Sequence, residues 1–301
     1  IKRLDAVTGT MTTSDQGYND YSYKGDMSKW KKLANSIKLR LGVNLSDVNP
    51  ALAKSAVESA VSGGLIASNA DNFTVTFSPG VFSSPLYQTV NVTGSGRKDF
   101  VAANTLVDVL NELDDPRISK YFTTVGGVYK GGTYGQSSAY DSFSHVADDI
   151  IKEDGTANLF DYSEVSFLLA EAAQRGLTSG SAAALYAQGI QASMDYWGVD
   201  AADATAYIAE NPYNAADWKK SLGQQTWLAM YNRGFEAWTF NRRLDYPKFE
   251  IPENSVLDAV PTRMAYPETE QNLNNTNWKE AVTHLPGGKD TPITKVFWDK
   301  F

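Results

Sequence analysis

The side chains able to do chemistry are few and unevenly placed. There is no cysteine, so disulfides, thiolate metal sites and cysteine nucleophiles are excluded. The two histidines, His145 and His284, lie far apart in polar surroundings, and three ligands of suitable type do not assemble around either. Each reads as an ordinary surface histidine. Neither His-Glu-x-x-His, Gly-x-Ser-x-Gly nor a P-loop occurs. Gly94-Ser95-Gly96 opens like a dinucleotide turn but continues Arg-Lys-Asp without a third glycine. Paired carboxylates remain, because two acids can hydrolyse a glycoside. Asp114-Asp115 precedes Pro116-Arg117, where a helix-ending turn accounts for both acids. Asp148-Asp149, with Glu153 and Asp154, offers oxygen ligands for calcium, although the spacing is not that of an EF-hand. No cofactor is expected, with calcium at these acids left open. Nothing in the pattern points to catalysis.

Rings are the other resource. With 16 Tyr, 13 Phe and 7 Trp, aromatic residues make up 12% of the 301 residues, more than helix packing needs. Flat ring faces bind the apolar C–H faces of sugars, while amides and acids bond the hydroxyls. The rings that fit no helical period are Tyr129, Tyr134, Tyr140 and Phe143, interleaved with Gly, Ser and Gln136 in a glycine-rich stretch. These four rings, with Gln136 as polar partner, are the candidate ligand-binding residues, and Tyr87 is a weaker one. Trp30, Trp227 and Trp238 fall on apolar stripes and are core candidates.

The remaining composition narrows the class. Hydrophobic residues at 42% and charged residues at 21% describe a globular protein. A net charge of −8 argues against general nucleic-acid binding, which needs clustered Lys and Arg. Lys29, Lys31, Lys32, Lys38 and Arg40 share one helix and read as its solvated face. No apolar run approaches the ~18 residues of a membrane helix.

The elements that must position these residues follow from periodicity and caps. Residues 1–25 read as an extended lead-in. Asp26 caps a helix carrying Trp30, Leu33, Ala34, Ile37 and Leu41, and Pro50 opens another that stops at Gly63-Gly64. Residues 73–77 alternate like a strand, and the spacing predicts a helix over 99–113. Helices return at 163–176, 181–197 and 203–209, and the longest pattern runs from 215 to 243, closed by Pro247. Beyond 251 the chain reads as irregular apart from a turn near Trp278. The expected fold is mainly α, a tetratricopeptide-like α-α superhelix of paired helices with irregular loop or β-hairpin insertions at 65–98 and 117–160. The scaffold would occupy 26–64, 99–113 and 163–245, and 247–301 would form an irregular tail. No 34-residue period is present, so such an array would be degenerate.

Several segments together resemble the SusD/RagB family of outer-membrane nutrient-binding lipoproteins. They are Tyr23-Lys-Gly-Asp26 with Ala34-Asn-Ser-Ile-Lys-Leu-Arg40, Asp115-Pro-Arg117 with Gly126-Gly-Val-Tyr-Lys-Gly131, and Phe167-Leu-Leu-Ala-Glu-Ala172. The fullest likeness runs from Gln225-Thr-Trp-Leu-Ala-Met-Tyr231 through Gly234-Phe-Glu-Ala-Trp238 to Arg242-Arg243-Leu-Asp-Tyr-Pro247, and Pro261-Thr-Arg263 and Tyr266-Pro267 follow. The wording is nearest the starch-binding, outer-membrane-associating subgroup. The resemblance implies a single domain over 1–301 that lacks its N-terminal part, including a lipid-modified cysteine. It also implies a lipid-anchored place on the extracellular face of a Gram-negative outer membrane. There such proteins capture oligosaccharides, without catalysis, for a SusC-type TonB-dependent transporter. Peptide capture on the same scaffold is an alternative the family permits. A glycoside hydrolase using a carboxylate pair and a pure interaction scaffold are more distant readings.

Overall fold

The computed structural model describes residues 1–11 and 20–301, so the part of the expected lead-in at 12–19 lies outside the described residues. Its first residues are not extended: Lys2–Thr8 forms helix α1. The reason is a tether, since Asp5 accepts from Lys38 Nζ at 2.8 Å. The next helix, α2 (Met27–Asn44), starts where Asp26 accepts from the backbone N–H groups of Ser28 and Lys29. α3 (Pro50–Gly63) has Asn49 as its cap and Pro50 in its first turn, and Asn35 Nδ2 closes its far end by donating to the carbonyls of Gly63 and Gly64. These two helices pack as an antiparallel pair.

The basic side chains of α2 are not a solvated face. Lys38 is buried, Arg40 reaches Glu164 at 2.6 Å, Lys32 meets Asp71 at 2.8 Å and Lys29 donates to the Ala70 carbonyl. Neighbouring elements cover α2 on several sides, so four of these five cations are consumed in tethers.

Two short segments of the first insertion are helical, α4 (Pro85–Val90) and α5 (Val92–Ser95), after strand β1 (Phe73–Thr76). The third predicted helix begins five residues late, as α6 (Asn104–Glu112), and a single turn α7 (Ile118–Tyr121) follows it. Strand β2 (Thr156–Phe160) belongs to the second insertion. The insertions are therefore not separate hairpins. β1 and β2 pair antiparallel, with Thr76 opposite Thr156, Val75 opposite Ala157 and Thr74 opposite Asn158, then a bulge before Phe73 meets Phe160.

The second helical layer comprises α8 (Tyr162–Gln174), α9 (Ala182–Tyr196) and α10 (Ala201–Glu210). α8 and α9 approach closely because residue 189 is glycine: a Cβ there would lie 2.8 Å from the Phe167 ring. The expected long helix is two. α11 (Trp218–Ala229) and α12 (Gly234–Leu244) are separated by a turn in which Asn232 takes φ +70°. The break lets Arg233 turn inward to Asp161 at 2.8 Å and Glu164 at 3.0 Å. The tail also contains helices, α13 (Glu268–Leu273) and α14 (Asn275–Thr283). Trp238 holds this tail and does not enter the core, donating its indole N–H to the Pro261 carbonyl. Trp30 and Trp227 are partly buried against the core, which centres on Leu39, Val57, Phe167, Leu168, Ile190, Met194 and Leu222. A smaller cluster around Val107, Leu110, Tyr121 and Leu228 supports the second insertion.

Candidate functional site

A cavity of about 810 Å³ opens between the two insertions and the helical layer. One wall is β2, from Thr156 to Leu159. Successive strand residues normally face opposite sides, yet all four of these residues line the cavity. At its far end the bulge leaves Leu159 without a partner on β1, since Phe73 pairs with Phe160 and Thr74 with Asn158. The opposite wall is built from the end of α9 and the turn joining α11 to α12, and Ser119 and Lys120 of α7 form a side.

Five rings line it: Phe77, Tyr196, Trp197, Tyr231 and Phe235. Backing fixes two of them. Tyr121, fully buried, stacks on Tyr231 with centroids 4.2 Å apart and meets Trp197 edge-on at 4.8 Å. Phe235, in the first turn of α12, is 69% exposed. Burial pushes the Tyr196 and Tyr231 hydroxyls up, so both stay neutral at physiological pH.

The polar lining is ordered from behind as well. Asp161 caps α8 through the Glu164 N–H, accepts from Asn158 Nδ2 at 2.8 Å and pairs with Arg233. Burial opposes the charge on Arg233, but Asp161 and Glu164 outweigh it and hold the guanidinium well above its ordinary range. Burial pushes the Glu164 carboxyl up, against the pull of Arg40 and Arg233. Asn158 Oδ1 is enclosed and has no hydrogen-bond partner. At the rim, the Lys152 ammonium donates to Asp149, holding that carboxyl below the usual range. A floor of braced rings with amides and compensated charges around it suits a polyhydroxylated ligand better than a reaction.

The residues singled out from sequence lie elsewhere. Tyr129, Tyr134, Gln136, Tyr140, Phe143 and Tyr87 are all absent from the lining of this cavity. Tyr129 is half-buried against the smaller core cluster and lines a second cavity of about 410 Å³. The Tyr134 hydroxyl is enclosed without a partner, and Gln136 donates to Glu253 of the tail at 3.2 Å. Tyr140 stacks on His145 at 3.8 Å, Lys130 lies 5.0 Å over the Phe143 ring, and Tyr87 is half-buried on α4. Sequence reasoning missed Trp197, Tyr231 and Phe235 because they share segments with scaffold residues. The available clue was Asn232-Arg233-Gly234, a helix breaker inside the longest pattern.

Three of the candidate acids have partners: Asp149 is paired with Lys152. Asp115 is fully buried against Arg117, which also reaches Gln225 and Ser193. Glu153 accepts from the Gly80 N–H. Among the described residues, no group of three or more His, Asp or Glu side chains is placed to hold a metal ion. No helix among them is long and apolar enough to cross a membrane.

Comparison with known proteins gives one consistent result. The model of a SusD-like family, described as starch-binding and associating with the outer membrane, matches residues 1–267. A solved chitin-binding protein is similar at 30% identity and a TM-score of 0.86, covering 100% of this chain and 71% of its own. A SusD homologue from Bacteroides uniformis matches at 29% identity and 0.87, with the same coverage. A chitin-binding SusD homologue from Flavobacterium johnsoniae matches at 28% and 0.82, over 99% of this chain and 70% of that one. No curated protein matches.

Proposed function

The chain belongs to the SusD-like family of starch-binding, outer-membrane-associating proteins, and from that premise we propose that it captures oligosaccharides in the 810 Å³ cavity without cleaving them. The observation that carries this is the braced ring wall. Trp197 and Tyr231 are held by Tyr121 behind them, so ordering costs little when a sugar face arrives. Phe235 offers an exposed ring on the same cavity. The names of the two chitin-binding relatives make β-linked N-acetylglucosamine oligomers a first choice beside starch-type glucans. Delivery to a SusC-type TonB-dependent transporter at the extracellular face, from a lipid-anchored full-length protein, completes the proposal. It needs no cofactor.

Hydrolysis is the weaker chemistry here. A glycosidase acid needs a raised pKa. The carboxyls pushed up by burial, Glu164 and Asp299, are outside the cavity lining, whereas Asp149 within it is held down. Peptide capture has one observation in its favour. β2 belongs to a two-stranded sheet and pairs on one side only, so its other edge can accept an added strand.

Calorimetry with malto- and chito-oligosaccharides tests the proposal. Phe235→Ala should weaken glycan binding about tenfold, the value of one ring contact, and leave thermal stability unchanged. No binding of either series, with binding of an extended peptide instead, would transfer the site to the peptide reading. Release of reducing ends would make the protein an enzyme.

A further inference from the structure

Resting on that reading of the main cavity, we propose that the glycan site continues over α7 into the second cavity, where Tyr129 receives the next sugar of a longer chain. The two cavities share a wall: Ser119 and Lys120 line both. Ser119 is exposed, so the shared wall reaches the surface, where a chain can pass over it. The second cavity, about 410 Å³, lies between α6, α7 and the start of α10.

Its lining repeats the chemistry of the first on a smaller scale. The Tyr129 ring is half-buried against the core cluster of Leu110 and Ile118, and its backbone carbonyl accepts from Asn111 Nδ2 at 3.1 Å, which anchors the segment that carries it. Asp200 stands at the N-cap of α10 without capping it through its side chain, and Asp203 follows in the first turn. Both carboxylates line the cavity and are placed to accept sugar hydroxyls. Asp114, at the same rim, holds φ +48°, a left-handed conformation in a residue other than glycine. A metal is not the occupant the acids call for, since no three of them among the described residues could share one. A flat ring with acceptors beside it, reached from an adjoining ring-lined cavity, is the arrangement an extended neutral oligosaccharide fills. The ligand class is thus a chain longer than the main cavity holds, and affinity should grow with length.

The test is calorimetry on the whole chain with two ladders, chito-oligosaccharides and malto-oligosaccharides, each from two to six sugars. The binding series should tighten about tenfold or more between the disaccharide and the hexasaccharide, the worth of an additional ring contact with its hydroxyl bonds. Tyr129→Leu keeps the apolar packing and removes the flat face, and Asp203→Ala removes an acceptor on α10. In each variant the gain with length should shrink to about threefold or less. A length gain undiminished in both variants overturns the second pocket and leaves the main cavity standing. Absence of binding at every length in the wild type overturns both.

Discussion

Asp20 shows what one carboxylate does for the entrance to the scaffold. Its oxygens accept from the backbone N–H groups of Ser22, Tyr23 and Gly25 and from the Trp30 indole. Burial pushes this carboxyl up, but the four donors outweigh it and hold the group down to about 2. A depressed acid stabilises the fold above its ordinary pKa of 3.8, and that contribution disappears as pH falls through the folded value near 2. Asp20→Asn should therefore lower stability at neutral pH by about 1 kcal/mol after solvent screening is allowed for. Unfolding curves for the two proteins should converge between pH 4 and 2, and a constant gap would contradict the assignment. Nothing local in the sequence announces this role, because the four donors meet only when the chain turns at Lys24 and Gly25, both left-handed. The ring wall was hidden for a related reason. Tyr231 and Phe235 continue the apolar rhythm of α11, and only the turn at Asn232 redirects them to the cavity. The loop tyrosines, conspicuous because they broke helical rhythm, were easier to see and lie away from that cavity.

The helices of the scaffold were the legible elements. Asp26, Pro50, Ser181 and the pair Gly63-Gly64 mark their ends by capping chemistry that acts within a few residues. Long-range contacts were not legible. β1 and β2 are some eighty residues apart, and nothing in either segment names the other as its partner. The close contact of α8 with α9 is intermediate: Gly189 was visible as a residue, its purpose only as a distance. With a Cβ 2.8 Å from a fully buried Phe167 ring, neither helix has room to yield. Gly189→Ala should destabilise the protein by about 1–3 kcal/mol despite alanine's better helix propensity. Denaturant unfolding checks this, and a gain in stability would show that the pair can separate without loss. Ser163, which donates to the Gly189 carbonyl at 2.7 Å, should feel the same separation.

At the scale of the molecule, charge separates neutral from anionic ligands. The chain carries −8 overall, whereas the main cavity balances Lys120, Lys152 and Arg233 against Asp149, Asp154 and Glu236. Several of these are already committed: Arg233 to Asp161 and Glu164, Lys152 to Asp149, and Glu236 to Arg40 at 3.9 Å. No net charge in the cavity awaits a counter-charge, and the field at a distance repels anions. Neither histidine lines it, so no group there has an ordinary pKa between pH 6 and 8. Binding of a neutral glucan or chitin oligomer should accordingly change by less than about twofold between 50 and 300 mM salt and across pH 6 to 8. A uronic-acid oligomer of the same length should bind more weakly, and most weakly at low salt, where the screening length is greatest. The same experiments read stability, because a ligand at about 100 times its Kd adds about 2.7 kcal/mol to a fold that alone binds it. Tighter binding of the uronic-acid oligomer, falling steeply with salt, would mean that ion pairs, and not rings, hold the ligand. The candidate wall would then be Lys120 and Lys152 in place of Trp197 and Tyr231.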